Sequence, residues 1–230
     1  MRNYDHQYTN FVILVNIVSQ LRHFLSQSNG FTSDILLIYI MDISVWNNIL
    51  PQKGDVLVAE PFMTDPNFEH AVILLCENNE DGAYGFVLNK PSDCFLCDSL
   101  PEFENINARL YIGGPVEQNT LHFIHKIGDQ LKGSISLGND LYWGGDFEEL
   151  RILLTTGLVN PADFIFFLGY TGWDNIQLKE ELKQNAWAVT KLTAMEVFTD
   201  TPSLLWKTTM VSLGGKYKII ANFPSNPRLN

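Results

Sequence analysis

The chain has 230 residues, 46% of them apolar and 18% charged, and a formal net charge of −11. This balance is typical of a globular domain and excludes an intrinsically disordered chain. Residues 54–190 carry 21 acidic and 7 basic side chains, whereas binding to nucleic-acid phosphates depends largely on Lys and Arg. The composition therefore disfavours a general nucleic-acid-binding protein.

The first forty residues differ in composition from the rest of the chain. Their two apolar runs, 11–18 and 35–40, are shorter than the roughly 18 to 20 residues that a membrane span requires. A signal peptide is an alternative, but an acidic residue lies in its leader and no small-residue cleavage site follows. We therefore expect residues 1–40 to be a non-native or disordered extension, translation to start naturally at Met41, and residues 41–230 to form one domain.

The middle of the chain carries a series of strand signals. Residues 71–76 (AVILLC) are continuously apolar, which is typical of a strand buried on both faces. A turn rich in Asn, Asp and Gly follows at 78–82 and joins this strand to the next as a hairpin. The predicted strands are 56–59, 71–76, 84–88, 110–112, 121–125, 134–137 and 164–168.

Helix signals are fewer than strand signals. A capping residue opens each predicted helix, and a glycine that permits left-handed backbone ends two of them. The helices are predicted to run from Asp146 to Gly157, from Asp174 past Leu182, and from Thr201 to Gly214. Because strands outnumber helices and do not alternate strictly with them, the fold class is predicted to be α+β.

Two glycine-rich loops are the candidate binding region. Gly169 and Gly172 permit positive φ, and Trp173 is predicted to fold back over the strand at 164–168 as a structural residue. A ligand or partner surface is the alternative for this loop, and a pocket wall shared with it is the alternative to a tight turn at 113–115. The candidate binding residues are Gly113, Gly114, Pro115, Gly169, Tyr170, Gly172, Trp173, Gln177 and Asn89.

The chemistry-bearing residues form no recognisable catalytic or metal-binding group. Cys94 and Cys97 are a single CxxC without the second ligand pair that a structural zinc site needs. His122 and His125 are predicted to lie on opposite faces of a strand because their spacing is three. We therefore expect no catalytic residue, metal or cofactor, and the odd number of cysteines, three, favours a reducing cytoplasm over a secreted disulfide framework.

Five blocks of the chain resemble the YqgE/AlgH family in order and spacing. They are GDVLVAEPFMTDPNFEHAVILL (54–75), GAYGFVLNKP (82–91), YIGGPV (111–116), YWGGDFEEL (142–150) and LGYTGWDNIQLKEEL (168–182). The resemblance implies a cytosolic α+β protein with a bifurcated, mixed, partly barrel-like sheet surrounded by helices. Ile176 stands where relatives usually have glycine, and Asn78 stands where they often have histidine, so chemistry assigned to that histidine could not operate here.

The family resemblance implies no settled activity. We favour a non-enzymatic cytoplasmic protein that binds a small ligand or a protein partner through the Gly/aromatic loops, and we expect no membrane association. An enzyme with an unrecognised site near the same loops is the alternative. The label of transcriptional regulator that relatives carry is a third possibility, but the acidic charge and the lack of a helix-turn-helix pattern disfavour it.

Overall fold

The computed structural model describes residues 50–61 and 63–221, so the expectations for residues 1–40 and for Met41 lie outside the described residues. The described chain forms ten strands, which are numbered in chain order. They are β1 (Val56–Ala59), β2 (Val72–Asn78), β3 (Ala83–Val87), β4 (Pro91–Phe95), β5 (Arg109–Ile112), β6 (Val116–His125), β7 (Ile135–Gly138), β8 (Leu141–Trp143), β9 (Phe164–Trp173) and β10 (Trp187–Thr190).

Short helices connect these strands. The α-helices are α1 (Leu96–Ser99), α2 (Phe147–Thr155), α3 (Gln177–Lys183), α4 (Ala194–Val197), α5 (Leu205–Leu213) and α6 (Gly215–Ile220). Single 3₁₀ turns occupy Pro101–Phe103, Gly128–Gln130, Pro161–Asp163 and Pro202–Leu204. The predicted α+β class is therefore confirmed.

The sheet is mixed and branches at β9. Its main path runs β10-β1-β2-β3-β9-β6-β8-β7, and β5 joins β4 to β9 outside this path. The first half of β9 pairs in parallel with β5, whereas its last three residues pair with β3. Strand β6 pairs with β9 in antiparallel fashion. The branch confirms the bifurcated sheet that the family resemblance implied.

The sheet curls strongly without closing into a barrel. Tyr84 on β3 and Trp143 on β8 are three strands apart, which in a flat sheet would separate them by about 14 Å, yet their ring centroids lie 5.2 Å apart. At the ends of the path, Asn139 Nδ2 donates to the carbonyl oxygen of Leu192, just after β10. The concave face of this partly barrel-like sheet carries a cluster of aromatic rings.

Two hydrophobic clusters cover the convex faces of the branches. One contains Phe123, Phe164 and Phe166 and packs under α1 and α2. The other contains Trp173 and Trp187 and packs against α3. Side chains of alternate parity, such as Phe86 and Phe167, point to the concave face, where their rings stack at 4.7 Å.

The predicted strands are all present, and three short strands, β4, β8 and β10, were not predicted. Asp146 caps α2 as expected, because its carboxylate accepts the Glu149 N–H. The last predicted helix instead begins with a 3₁₀ turn, and Thr201 makes no side-chain cap bond. Proline at the first position favours such a tight opening turn, in which few N–H groups need a cap.

Candidate functional site

The two glycine loops meet at the point where the sheet branches. Strands β5 and β6 pair with opposite edges of β9, so the segment 113–115 must cross the β9 backbone. Gly113 donates its N–H to the Leu168 carbonyl at 2.9 Å. A Cβ on Gly113 would clash with the Gly169 carbonyl, and one on Gly114 with the Tyr170 backbone. The convergence is therefore a close backbone crossing, and these glycines are buried rather than lining a pocket.

A bulge at this crossing decides where Tyr170 points. Gly169 has a φ of 67°, and β6 carries four residues, 117–120, opposite this single residue. The left-handed backbone at Gly169 interrupts the alternation along β9, so Tyr170 lies on the same concave face as Phe167 despite the odd spacing. Glycine at 169 is required both by the positive φ and by the nearby Val116 carbonyl.

Four rings from four strands lie together on the concave face, and we call them the mouth cluster: Tyr84, His122, Trp143 and Tyr170. The ring centroids of Tyr84 and Tyr170 are 4.6 Å apart, and those of His122 and Tyr170 are 5.8 Å apart. All four side chains are partly exposed. Ring pairs at these distances stabilise one another and still offer exposed faces and edges to a ligand.

Hydrogen bonds hold the imidazole of this cluster in one tautomer. Thr120 donates its hydroxyl to the Glu117 carbonyl (2.7 Å), and its oxygen lies 2.8 Å from His122 Nε2. His122 therefore donates from Nε2, and its Nδ1 accepts from the Tyr84 hydroxyl at 3.2 Å. Burial lowers the pKa of His122, and Glu117 opposes that shift. The imidazole is neutral at pH 7.

The electrostatic surroundings of the mouth cluster are acidic. The pKa of Tyr84 is raised well above its ordinary value, first by burial and then by anionic neighbours that include Glu117 and Glu77. Both glutamates are exposed, and Glu77 is the cross-strand partner of Tyr84. No basic side chain is among the groups that shift the pKa of Tyr84 or His122. The mouth therefore suits a neutral or cationic ligand better than an anion.

Trp173 and Gln177 belong to a separate, closed arrangement, which we call the tryptophan cluster: Trp173, Gln177, Glu181 and Trp187. The indole N–H groups of Trp173 and Trp187 both donate to Glu181 Oε2, at 2.8 and 2.7 Å. Gln177 Nε2 donates to the other oxygen, Glu181 Oε1, at 2.8 Å. Trp173 is 6% exposed, so its ring is structural, as its sequence position indicated.

Two details of the predicted 169–177 loop are wrong. The Trp173 ring packs on Phe68 and Trp187 instead of folding over 164–168, because β9 continues to Trp173 and places this ring beside β10. Gly172 has no positive φ. It pairs with Tyr84, and a Cβ there would make only ordinary van der Waals contacts, at 3.6 Å from the Ala83 carbonyl oxygen and from the Tyr170 ring.

The helix after this loop also starts differently from the prediction. Asp174 accepts the N–H groups of Ile176 and Gln177 at 2.8 and 2.7 Å, and these bonds lower the pKa of its carboxyl. Helix α3 begins only at Gln177, whose side chain turns to Glu181 rather than back to Asp174. Asp174 thus occupies the donors that an anion would need at this turn.

The remaining candidates lie away from the mouth cluster or take no part in it. Asn89 accepts the Val72 N–H at 2.9 Å and donates to the His70 carbonyl at 2.8 Å, so it ties two loops together. Pro115 is exposed on the crossing segment. Asn78 donates to the Pro51 carbonyl, and Ile176 is exposed. The structure thus divides the nine predicted residues among four places: the backbone crossing, the mouth cluster, the tryptophan cluster and the Asn89 tie.

The histidine prediction is confirmed. His125 is fully buried on the face opposite His122, and its Nε2 lies 3.0 Å from the Gly144 carbonyl. Its Nδ1 has no hydrogen-bond partner among the described residues. Burial lowers its pKa, which keeps it neutral. The cysteines Cys76, Cys94 and Cys97 are free thiols.

Sequence reasoning missed Tyr84 and Trp143 as site residues. Each aromatic residue stands next to glycine in a short motif, GAYG for Tyr84 and YWGG for Trp143. That combination of glycine and an aromatic residue could have marked both as candidates. Alternation along each strand predicts which side chains share a face of that strand, but only the curl of the sheet brings the Tyr84 and Trp143 rings together.

Within residues 50–61 and 63–221, no helix is long and apolar enough to span a bilayer.

The structure defines an α+β protein whose sheet branches at β9, where a glycine-rich segment crosses the strand. The sequence profile described as AlgH-like matches residues 56–218. A UPF0301 protein of Chlorobium limicola is 41% identical over 179 residues, covering 78% of this chain and 96% of that protein. One from Cytophaga hutchinsonii is 40% identical over 179 residues, covering 77% and 98%. The chain belongs to the AlgH-like family.

Solved structures share the same fold. The solution structure of the AlgH protein from Pseudomonas aeruginosa is 28% identical, with a TM-score of 0.60, and covers 77% of this chain and 98% of its own. A crystal structure of a protein from Corynebacterium diphtheriae is 26% identical, with a TM-score of 0.63, covering 77% and 95%. The structural expectation that the resemblance implied is thereby confirmed.

Proposed function

We propose that this protein is a non-enzymatic cytoplasmic binding protein whose mouth cluster receives a cationic group of a small ligand or a protein partner. The observation that carries the proposal is the meeting of three electron-rich, partly exposed rings, Tyr84, Trp143 and Tyr170. Two exposed glutamates are among the groups that act on Tyr84. The faces of Trp and Tyr rings attract ammonium and guanidinium groups, and acidic side chains add to that attraction. The free thiols agree with a reducing compartment.

The first test uses two probes that differ only in charge. N-acetyl-arginine amide carries a guanidinium group, and N-acetyl-citrulline amide carries a neutral urea of nearly the same shape. Titration followed by NMR should move the Trp143 indole signal with the arginine probe and leave it nearly unchanged with citrulline. Equal responses to both probes would refute the preference for a cation.

Matched variants locate the site. Glu117→Gln removes one acidic charge and should weaken binding of the arginine probe several-fold, because a single nearby charge contributes modestly at an exposed position. Glu148→Gln removes a similar exposed charge on α2, which pairs with Arg151, and should leave binding unchanged. The proposal fails if both variants behave alike.

The enzymatic alternative rests on one observation, the hydrogen-bonded chain Thr120–His122–Tyr84. A neutral imidazole between two hydroxyl groups is able to transfer a proton. His122→Asn keeps a polar side chain but cannot act as a base near neutral pH. A screen with chromogenic esters that finds turnover in the wild type and none in His122→Asn would favour the enzyme over the binding protein.

A further inference from the structure

A second cleft, of about 490 Å³, lies along β5 and the start of β9, away from the mouth cluster. We call it the β5 cleft, and its lining includes Asn107, Arg109, Tyr111, Asn160, Ile165 and Phe198. Ligand sites have this size range and are usually apolar with a few convergent polar groups. Ala108, Pro161, Ala162 and Phe164 complete an apolar wall.

Arg109 supplies the positive charge of this cleft. Its guanidinium carbon lies 5.4 Å from the centroid of the Phe95 ring, a cation–π contact that orients the side chain. Among residues 50–61 and 63–221, no carboxylate forms an ion pair with Arg109. The other arginine in these ranges, Arg151, is paired with Glu148 at 3.0 Å. Arg109 therefore retains its donors for another partner.

Tyr111 supplies a hydroxyl donor beside that charge. It stands two residues after Arg109 on β5, so both side chains leave the strand on the same face. Burial raises the pKa of Tyr111, and Arg109 is the charged group that opposes this shift. The hydroxyl is thus protonated at pH 7 and lies in a locally positive field, in contrast to the acidic surroundings of Tyr84.

We propose that the β5 cleft binds a small monocarboxylic acid with an apolar body, whose carboxylate meets Arg109 and Tyr111. The planar fork of a guanidinium matches the two oxygens of a carboxylate, and the apolar wall accommodates the rest of the molecule. A single cation balances a single negative charge. Asp200, which also lines the cleft, and the net charge of −11 oppose a dianion such as phosphate.

The test uses phenylacetate and its neutral analogue phenylacetamide with the full chain, measured by calorimetry and saturation-transfer NMR. Phenylacetate should bind at one site and phenylacetamide about tenfold more weakly, because the charged hydrogen bonds are lost. Equal affinity for the two compounds, no binding of phenylacetate, or stronger binding of inorganic phosphate would each overturn the proposal.

Variants assign the binding to the cleft. Arg109→Gln should weaken phenylacetate binding about tenfold or more, Arg109→Lys less because the charge remains, and Tyr111→Phe several-fold. Arg151→Gln, at the paired arginine on α2, and Tyr170→Ala, at the mouth cluster, should leave it unchanged. Thermal melts check that each variant is folded. If Tyr111→Phe and Arg109→Lys both bind as the wild type does, the carboxylate does not lie at these residues.

Discussion

The mouth cluster and the tryptophan cluster start three residues apart on β9, at Tyr170 and Trp173, yet they differ in almost every physical respect. Around Tyr170 the rings are partly exposed, and acidic side chains are among the groups that act on Tyr84. Around Trp173 the rings are buried, and each indole N–H is satisfied by Glu181. One continuous sequence signature thus contains a closed structural cluster and an open one that is available for binding.

The difference follows from side-chain alternation along one strand. An odd spacing puts Tyr170 and Trp173 on opposite faces, and the bulge at Gly169 determines which face each receives. Helix α3 covers the convex face, so the Trp173 ring on that face is enclosed. Tyr170, on the concave face, is only half-buried. Stability and binding should therefore separate when the two clusters are changed.

The largest expected effect is on stability, from Trp173→Ala. Truncating a buried Trp typically lowers the free energy of unfolding by about 3–5 kcal/mol, because apolar contacts are lost and a cavity is left behind. Tyr170→Ala should cost clearly less, since that ring is partly exposed, but should abolish binding of the arginine probe. Chemical denaturation of both variants measures the difference. Similar losses of stability would show that the two clusters are not distinct.

A smaller loss is expected from Glu181→Leu, which tests whether the closed cluster depends on its acceptor. Two indole N–H groups would lose their partner, and an unsatisfied buried donor costs about 1–3 kcal/mol. Glu181→Gln keeps an oxygen for both indoles and should retain most of the stability. If Leu and Gln reduce the denaturation midpoint equally, the hydrogen bonds are not what stabilises this cluster.

Stability should also decrease in acid, and His125 should contribute to that decrease. Burial holds its folded-state pKa below the ordinary value of about 6.5, so the unfolded chain takes up a proton first as the pH falls. The contribution of His125 to the free energy of unfolding is therefore fully present above the ordinary pKa, and it is lost as the pH falls through the folded-state pKa. His125→Gln should flatten this part of the profile.

The burial of Glu60 acts in the opposite direction and must be separated from the effect of His125. Burial raises the pKa of Glu60 to about 7. Its contribution to the free energy of unfolding is therefore fully present below the unfolded-state pKa of about 4.5 and is lost as the pH rises through 7. Glu60→Gln should accordingly raise stability above pH 7 relative to the wild type. An unchanged profile in both variants would contradict the assigned pKa directions.

The smallest expected signal is binding to duplex DNA, which we predict to be negligible. From Met41 onward the sequence holds 24 acidic and 13 basic residues, so the averaged field repels phosphates. Fluorescence anisotropy with a random-sequence duplex at physiological salt provides the measurement. A micromolar complex that weakens steeply with added salt would contradict this prediction and would favour the regulator label.

Much of the local structure could be predicted from the sequence. The apolar run at 71–76, the cap at Asp146 and the opposite faces of His122 and His125 depend on neighbours a few residues away, and all three are confirmed. The short strands β8 and β10 were missed because three or four residues carry too little periodicity to signal a strand. Strand β10 pairs with β1, near the start of the described residues, and β8 pairs with β6 as well as with its neighbour β7.

The candidate binding loops show the limit of that approach. A tight turn is the prediction for 113–115, with a pocket wall shared with the 169–173 loop as the alternative, and in the structure Gly113 and Gly114 meet Gly169 at a backbone crossing. Asn89 was grouped with them because it is polar and lies near a strand end, and the fold uses it to bond the Val72 and His70 backbone. Composition identifies such residues without indicating which of them meet.

The sequence by itself determined the family, the α+β class and most of the strands, because motifs and periodicity are local properties of the chain. Only the tertiary structure brought Tyr84, His122, Trp143 and Tyr170 together on one face and left Arg109 without a carboxylate among the described residues. The curl of the sheet and the crossing at β9 join residues tens of positions apart. Charge and exposure at a site depend on which distant residues pack beside it, and that is decided when the whole sheet assembles.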